Sequence, residues 1–184
     1  MSLPTKAQKW IRDGFLISTD KKLLSIPAIN SAFDQEFVYW TRAVPHEILQ
    51  QVIDNSFCFG LYKTAKEITS ADGTEPASTV THTEAADNLE QIGFARLVTD
   101  NLTFAYLTDL YVLPRYQGLG VGGWLIDCVD ELLSSLPYLR WAMLRTSKVK
   151  SKESYEKRLG MSILSSEISQ GAVIMGKKGK AGRT

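Results

Sequence analysis

Cysteine and histidine are scarce, with two of each among 184 residues. Cys58 and Cys128 stand in unrelated contexts, so they form neither a disulfide framework nor a zinc motif, and no metal centre is expected. They read as reduced, buried thiols of an intracellular protein. Long apolar runs are missing too. No stretch reaches the roughly 20 residues that a bilayer-spanning helix needs. Met1 to Ile11 lacks the apolar core of a secretory signal. A cytoplasmic protein with no membrane partner is the expectation. Charge of one sign is equally scarce. Lys and Arg total 21 against 20 Asp and Glu, a net charge of +1, so no overall field draws nucleic acid. Four basic residues gather between Lys177 and Arg183 and read as a solvated, frayed tail, 177–184.

What is present is ordinary globular composition, 44% hydrophobic and 22% charged, which rules out disorder of the whole chain. The length fits one domain with a core that needs no disulfide staples. Phe15–Ser18 reads as a first strand. Ile26, Ile29, Phe33 and Phe37 recur at helical spacing and predict a helix over Ser25–Trp40. Pro45–Asn55 is a second helix, with Pro45 suited to its first turn. Phe57–Tyr62 follows as a buried strand. From Thr64 to Asn88 the composition turns polar, with an Asp72-Gly73 turn, and predicts a long loop within the domain. Gln91–Val98 and Leu102–Leu113 read as paired strands around Asp100-Asn101. Gly122–Leu136 is a helix, Leu139–Leu144 a strand and Lys150–Leu159 a short helix capped by Gly160. Met161–Ser165 and Ala172–Met175 close the chain as strands. Hairpins alternate with helical crossovers, so an α/β fold with a mixed central sheet flanked by helices is expected.

The informative stretch runs from Tyr111 to Gly123. A strand ends, a turn opens, and spaced glycines lead into an amphipathic helix. A pyrophosphate needs several backbone N–H groups aimed at one place. Glycines let the backbone approach, and the helix start adds free donors and the positive end of its dipole. Gly118, Gly120 and Gly123 also satisfy G-x-G-x-x-G, but the context rejects a dinucleotide fold. Pro114 to Gln117 separate the motif from its strand, and the acidic residue expected about 20 positions later is missing from Tyr138-Leu139-Arg140-Trp141. No Gly-Lys-Ser/Thr follows, so it is no P-loop. A ligand-free glycine turn is the bland alternative.

Gln117-Gly118-Leu119-Gly120-Val121-Gly122 resembles the Q/R-x-x-G-x-G/A signature of the GNAT superfamily of acetyl-CoA-dependent N-acetyltransferases. A Val-Leu-Pro strand end precedes it, as in that family. Tyr155-Glu156-Lys157-Arg158-Leu159-Gly160-Met161 looks like the family's closing segment, and the element order is the GNAT order. The resemblance covers roughly Gly14 to Met175. Tyr39-Trp40 through Tyr62, Gly93–Asp100 and Phe104–Asp109 are similar to a branch of small GNAT proteins whose substrates it does not name. Two departures stand out. One extra residue separates Tyr155 from Gly160, which turns Tyr155 by about 100° if the helix is regular. The Thr64–Asn88 stretch is longer than the usual hairpin.

The resemblance implies acetyl-CoA as cofactor and direct transfer in a ternary complex. Tyr111, Val112, Leu113, Gln117, Gly118, Leu119, Gly120, Val121, Gly122, Gly123 and Ser154 are the implied cofactor-binding residues. A backbone N–H near Val112 would stabilise the developing oxyanion. Tyr155 would be the acid, with Ser154 as fallback at the same turn; the alternative is a packing tyrosine. Asp109 would be the base. It shares a strand face with Ala105, Leu107, Tyr111 and Leu113 by alternation, where burial favours proton uptake. Its alternatives are a carboxylate satisfied by Arg96, or a water chain without a single base. Tyr39 and Trp40 would roof the acceptor pocket, stacking on a substrate or sheltering a cation, or else pack in the core. His46 reads as an exposed helix-start residue and His82 as solvated.

The expected function is acetyl transfer to a primary amine, on a small molecule rather than a peptide N-terminus or lysine. The rival is an acyl-CoA-binding sensor without turnover. Dimerisation through the closing strands stays open.

Overall fold

Residues 2–64, 89–147, 151–167 and 172–180 are described by the computed structural model. Its strands are β1 (Lys9–Arg12), β2 (Phe15–Ser18), β3 (Phe57–Thr64), β4 (Leu89–Thr99), β5 (Phe104–Val112), β6 (Trp141–Ser147), β7 (Ser162–Glu167) and β8 (Ala172–Lys178). They form one sheet in the order β1-β2-β3-β4-β5-β6-β8-β7. The helices are α1 (Ile26–Phe33), α2 (His46–Asp54), α3 (Val121–Ser135) and α4 (Lys152–Leu159). Only the β5–β6 pair is parallel among the described ladders, because α3 crosses over between them; the others are antiparallel, β8 inserting between β6 and β7. The sheet is therefore mixed and lies between two helix layers. On one face it packs against α3 and α4 through Leu125, Val129, Leu133 and Leu159, and on the other against α1 and α2 through Ile29, Phe33, Leu49 and Ile53. No described helix is long and apolar enough to cross a membrane.

Four differences from the sequence reading have local causes. First, β1 was not foreseen. Asp13 and Gly14 take φ of 49° and 75°, the left-handed pair that a two-residue hairpin loop requires. The Asp-Gly dipeptide ahead of Phe15-Leu16-Ile17-Ser18 was the signal for it. Second, the first helix ends at Phe33, not Trp40. Ser25 caps its start, but the side chain of Asn30 donates to Val44 O and accepts from Val44 N, at 2.8 and 3.2 Å. Asp34 accepts from Ala43 N at 3.3 Å. These bonds fold residues 34–44 back over the helix, so Tyr39 and Trp40 emerge on a connection.

Third, β5 does not keep one alternation along its length. Opposite β4, Arg96 pairs with Thr108 but Phe94 with Tyr111, so one residue of β4 faces two of β5. That bulge centres on Asp109, whose φ is 53°. Ala105 and Leu107 face α3, whereas Tyr111 lies with the α1–α2 core. The shared face expected for Ala105, Leu107, Asp109 and Tyr111 is therefore corrected: a period of two cannot pass through a bulge unchanged. Fourth, β6 and β8 run further than expected, to Ser147 and Lys178. The start of the expected frayed tail 177–184 is corrected: Lys177 and Lys178 belong to β8, and Lys177 Nζ donates to Asp130 Oδ1 at 2.8 Å. Most of the expected Thr64–Asn88 loop, with Asp72-Gly73 and His82, and the end of the tail lie outside the described residues.

Candidate active site

β5 and β6 are paired only from Phe104 to Leu107 and from Trp141 to Leu144. Both strands continue, to Val112 and Ser147, and they part. A cavity of about 1270 Å³ opens between them. Its walls include Thr108–Val112 from β5, Leu144–Ser147 from β6, the glycine loop, Tyr39 and Trp40, and Tyr155 from α4. The bulge at Asp109 helps produce this parting, since it adds local twist to the strand.

Backbone direction at the end of β5 is set by one bond. Leu113 N donates to Ile92 O at 2.8 Å, which points Leu113 toward β4. By strand alternation the N–H and C=O of Val112 point the other way, into the gap. The side chain of Gln117 donates to that Val112 carbonyl at 2.8 Å. Gln117 thus pins the loop to the strand and leaves the Val112 N–H as a donor facing the cavity.

The loop itself is shaped by two left-handed glycines, Gly118 at φ 83° and Gly120 at φ 77°. Gly120 is the N-cap of α3, so no side chain covers the free N–H groups of the first turn. A methyl group at Gly118 would meet nothing within 4 Å, and one at Gly120 only Nη2 of Arg12 at 3.9 Å. Open space therefore lies over the backbone, where a phosphate group fits. Gly123 is small for another reason: a methyl there would meet the Arg158 guanidinium at 2.6 Å.

Tyr155 is buried at 7% exposure on the cavity wall. Burial pushes its hydroxyl up to about 12, with Tyr39 adding a smaller push. The helix that carries Tyr155 runs on through Leu159 to a Gly160 cap. Met161 N reaches back to Tyr155 O at 3.4 Å, and Gly160 takes φ 61°. Tyr39 and Trp40 are exposed at 62% and 41% and stand edge to face with ring centres 5.2 Å apart. They line the cavity mouth with Phe37 and Tyr106.

Asp109 lines the same cavity and is 9% exposed. Its Oδ2 accepts from Arg96 Nε at 2.5 Å, and Oδ1 accepts from the Thr108 hydroxyl at 3.3 Å. Arg96 also donates to Ser56 at 3.1 Å. One carboxylate oxygen is thus committed to the guanidinium.

The structure gathers Tyr111, Val112, Gln117, Gly118, Gly120, Gly122, Gly123, Tyr39, Trp40, Asp109 and Tyr155 around one cavity. Four implied cofactor residues fall elsewhere. Ser154 is half-buried on α4 and is not part of the wall; Ser151 is, because α4 begins only at Lys152. Leu113 faces a second cavity beside α1, Leu119 projects at 57% exposure, and Val121 is buried at 1%. At Val121, only backbone could meet a ligand. His46 is exposed at the start of α2. Leu110, Arg145, Thr146 and Ser147 line the cavity without having been foreseen. The parting of β6 from β5 puts them there, and no local motif marks it.

A sequence model of the acetyltransferase (GNAT) family matches residues 53–161. A Gibberella zeae protein provisionally named an acetyltransferase is 40% identical over 157 residues, spanning 85% of this chain and 84% of that one. The crystal structure of a provisionally named GNAT-family acetyltransferase from Xanthomonas campestris pv. campestris is 28% identical, with a TM-score of 0.55 over 85% and 87% of the two chains. A Vibrio cholerae spermidine N-acetyltransferase, solved with CoA and spermine, shares the fold at 13% identity, with a TM-score of 0.61 over 90% and 95%. With its parted strands and glycine-lined helix start, this chain belongs to the GNAT acetyltransferase family.

Proposed function

We propose that the chain moves an acetyl group from acetyl-CoA to the primary amine of a small molecule, by direct attack in a ternary complex. One observation carries this reading. A single cavity joins the open glycine loop, the Val112 N–H facing the gap and the buried Tyr155 hydroxyl. When bound, acetyl-CoA supplies an acetyl group activated as a thioester. The backbone of Gly118–Gly123 and the start of α3 hold its pyrophosphate. The Val112 N–H stabilises negative charge on the acetyl oxygen from a fixed position, which costs no reorganisation during the reaction. Tyr155 keeps its proton at neutral pH and holds it at Oη, from where it would pass to the CoA thiolate that leaves as the C–S bond breaks and the C–N bond forms. A primary amine is protonated near pH 7 and must lose a proton before it attacks. Asp109 is the carboxylate among the described cavity residues, and it takes that proton directly or through water.

The acceptor is read from charge and rings. Asp109 and Arg145 are the charged residues among the described lining, and Asp109 is already paired with Arg96. A polyamine would bring further positive charges to a wall with no carboxylate left for them. Tyr39, Trp40 and Tyr106 offer ring faces and edges instead. An amine with one positive charge and an aromatic body fits better.

Thiol release from acetyl-CoA, measured with 2-phenylethylamine, spermidine and a short peptide, tests the reading. Phenylethylamine is expected to turn over with kcat/KM about tenfold above spermidine, the equivalent of one or two ring contacts. Acetyl-CoA binding without thiol release for any amine would instead favour a sensor. A preference for spermidine or for the peptide would overturn the acceptor assignment alone.

A further inference from the structure

The N-terminal hairpin reaches across to the helix that carries the glycine loop. Trp10 and Arg12 alternate onto one side of β1, and both meet α3. Trp10 Nε1 donates to Glu131 Oε2 at 3.0 Å, and the Arg12 guanidinium lies 4.7 Å over the ring of Trp124. These two contacts lead β1 along α3 toward its N-terminus. There Nη2 of Arg12 is 3.9 Å from where a methyl group on Gly120 would sit. That methyl position marks the space into which the loop opens.

The charge around this space is unevenly committed. Arg158, on the other side of the loop, is held by both oxygens of Asp127, at 2.8 and 2.6 Å. Arg12 has a much looser partner. Its Nε is 3.9 Å from Asp13 Oδ2, and the Asp13 side chain is 87% exposed. A surface contact of that length neutralises little. A guanidinium with spare donors therefore lies beside Gly120, the residue that opens α3 without a side-chain cap.

We propose that Arg12 is a phosphate ligand of acetyl-CoA, so that the β1–β2 hairpin forms part of the cofactor site. This rests on the reading of residues 117–123 as the acetyl-CoA cradle. A guanidinium offers a phosphate two parallel charge-assisted hydrogen bonds, which the loop backbone does not supply. The Trp124 ring beneath it fixes its position before the ligand arrives.

The test is calorimetric titration of the whole chain and of Arg12→Met with CoA, 3′-dephospho-CoA and pantetheine. Met keeps an aliphatic stem over Trp124 and removes the charge. The ratio of CoA affinity to pantetheine affinity is expected to fall about tenfold in the variant. The loss should shrink as salt is raised, because a screened charge matters less. If dephospho-CoA loses affinity by the same factor, Arg12 holds the pyrophosphate; if it loses none, Arg12 holds the 3′-phosphate. Both outcomes support the proposal. Equal CoA affinity in the two proteins overturns it, as does an equal loss for pantetheine, which would mark a merely structural arginine. Failure of the unsubstituted chain to bind CoA overturns the cradle reading and this inference with it. Arg12→Lys, which restores the charge, is expected to recover part of the lost ratio.

Discussion

Tyr155 and Asp109 share a cavity but meet different electrostatic surroundings. The tyrosine is buried, and that burial favours the neutral form of its hydroxyl. The aspartate is ionically paired to Arg96, whose side chain is itself only 19% exposed. Burial thus favours the protonated tyrosine, while the aspartate is held in place by its bond to the Arg96 guanidinium. Tyr155→Phe is expected to lower kcat about a hundredfold while leaving acetyl-CoA affinity within a factor of two. Single-turnover kinetics and a binding titration on the variant would check this. An unchanged kcat would remove Tyr155 from the chemistry. Tyr155 was legible as a residue type in a known segment. Its burial was not, because which side of α4 is covered depends on how that helix packs against α3. The Arg96–Asp109 pair could be named in advance only as an alternative, since a contact between two strands depends on register.

At the scale of elements, the glycine loop and α3 were the most legible features, because each follows from local rules. Spaced glycines before an amphipathic run predict a turn and a helix start, and α3 begins within one residue of the expected place. β5 was legible as a strand but not in its facing. The bulge at Asp109 is a tertiary decision, made by the neighbouring strand. α1 was overextended because Phe37 continued the helical spacing, while the bonds from Asn30 and Asp34 that end the helix are long-range. Gly120→Asp is the substitution that belongs to this scale. Its left-handed backbone makes any side chain costly, and a carboxylate would project into the space over the free N–H groups. The expected result is loss of acetyl-CoA binding by at least about a hundredfold in a folded protein, since placing like charges against each other in a complex costs several kcal/mol.

Over the whole molecule, several buried groups are held protonated at once. Burial raises the Cys58 and Cys128 thiols from 9.0 to about 12, and the Tyr155 hydroxyl from 10.0 to about 12. Burial raises Tyr62 and Tyr111 as well. Each folded group binds its proton more tightly than its unfolded counterpart. Above pH 9 the unfolded chain releases protons that the folded chain retains, so stability falls as pH rises. Below pH 9 the contribution is complete. The urea midpoint is expected to be flat with respect to these groups from pH 7 to about 8.5. It should then decline steadily up to about pH 12, each group adding at most about 1.4 kcal/mol per pH unit. A midpoint unchanged at pH 11 would mean these side chains are not buried as described.

One cavity joins the glycine loop, the gap between β5 and β6, and Tyr155, and we propose it as both cofactor site and transfer centre. The order of strands and helices was legible because hydrophobic periodicity and turn residues record it. The cavity was not, because it exists only where two strands that pair at one end part at the other. The most direct measurement is a calorimetric titration of the chain and of Gly120→Asp with acetyl-CoA. Saturable one-to-one binding by the unsubstituted chain and none by the folded variant is the predicted result. Absence of binding by the unsubstituted chain, or equal binding by both, would mean that the glycine loop does not hold acetyl-CoA.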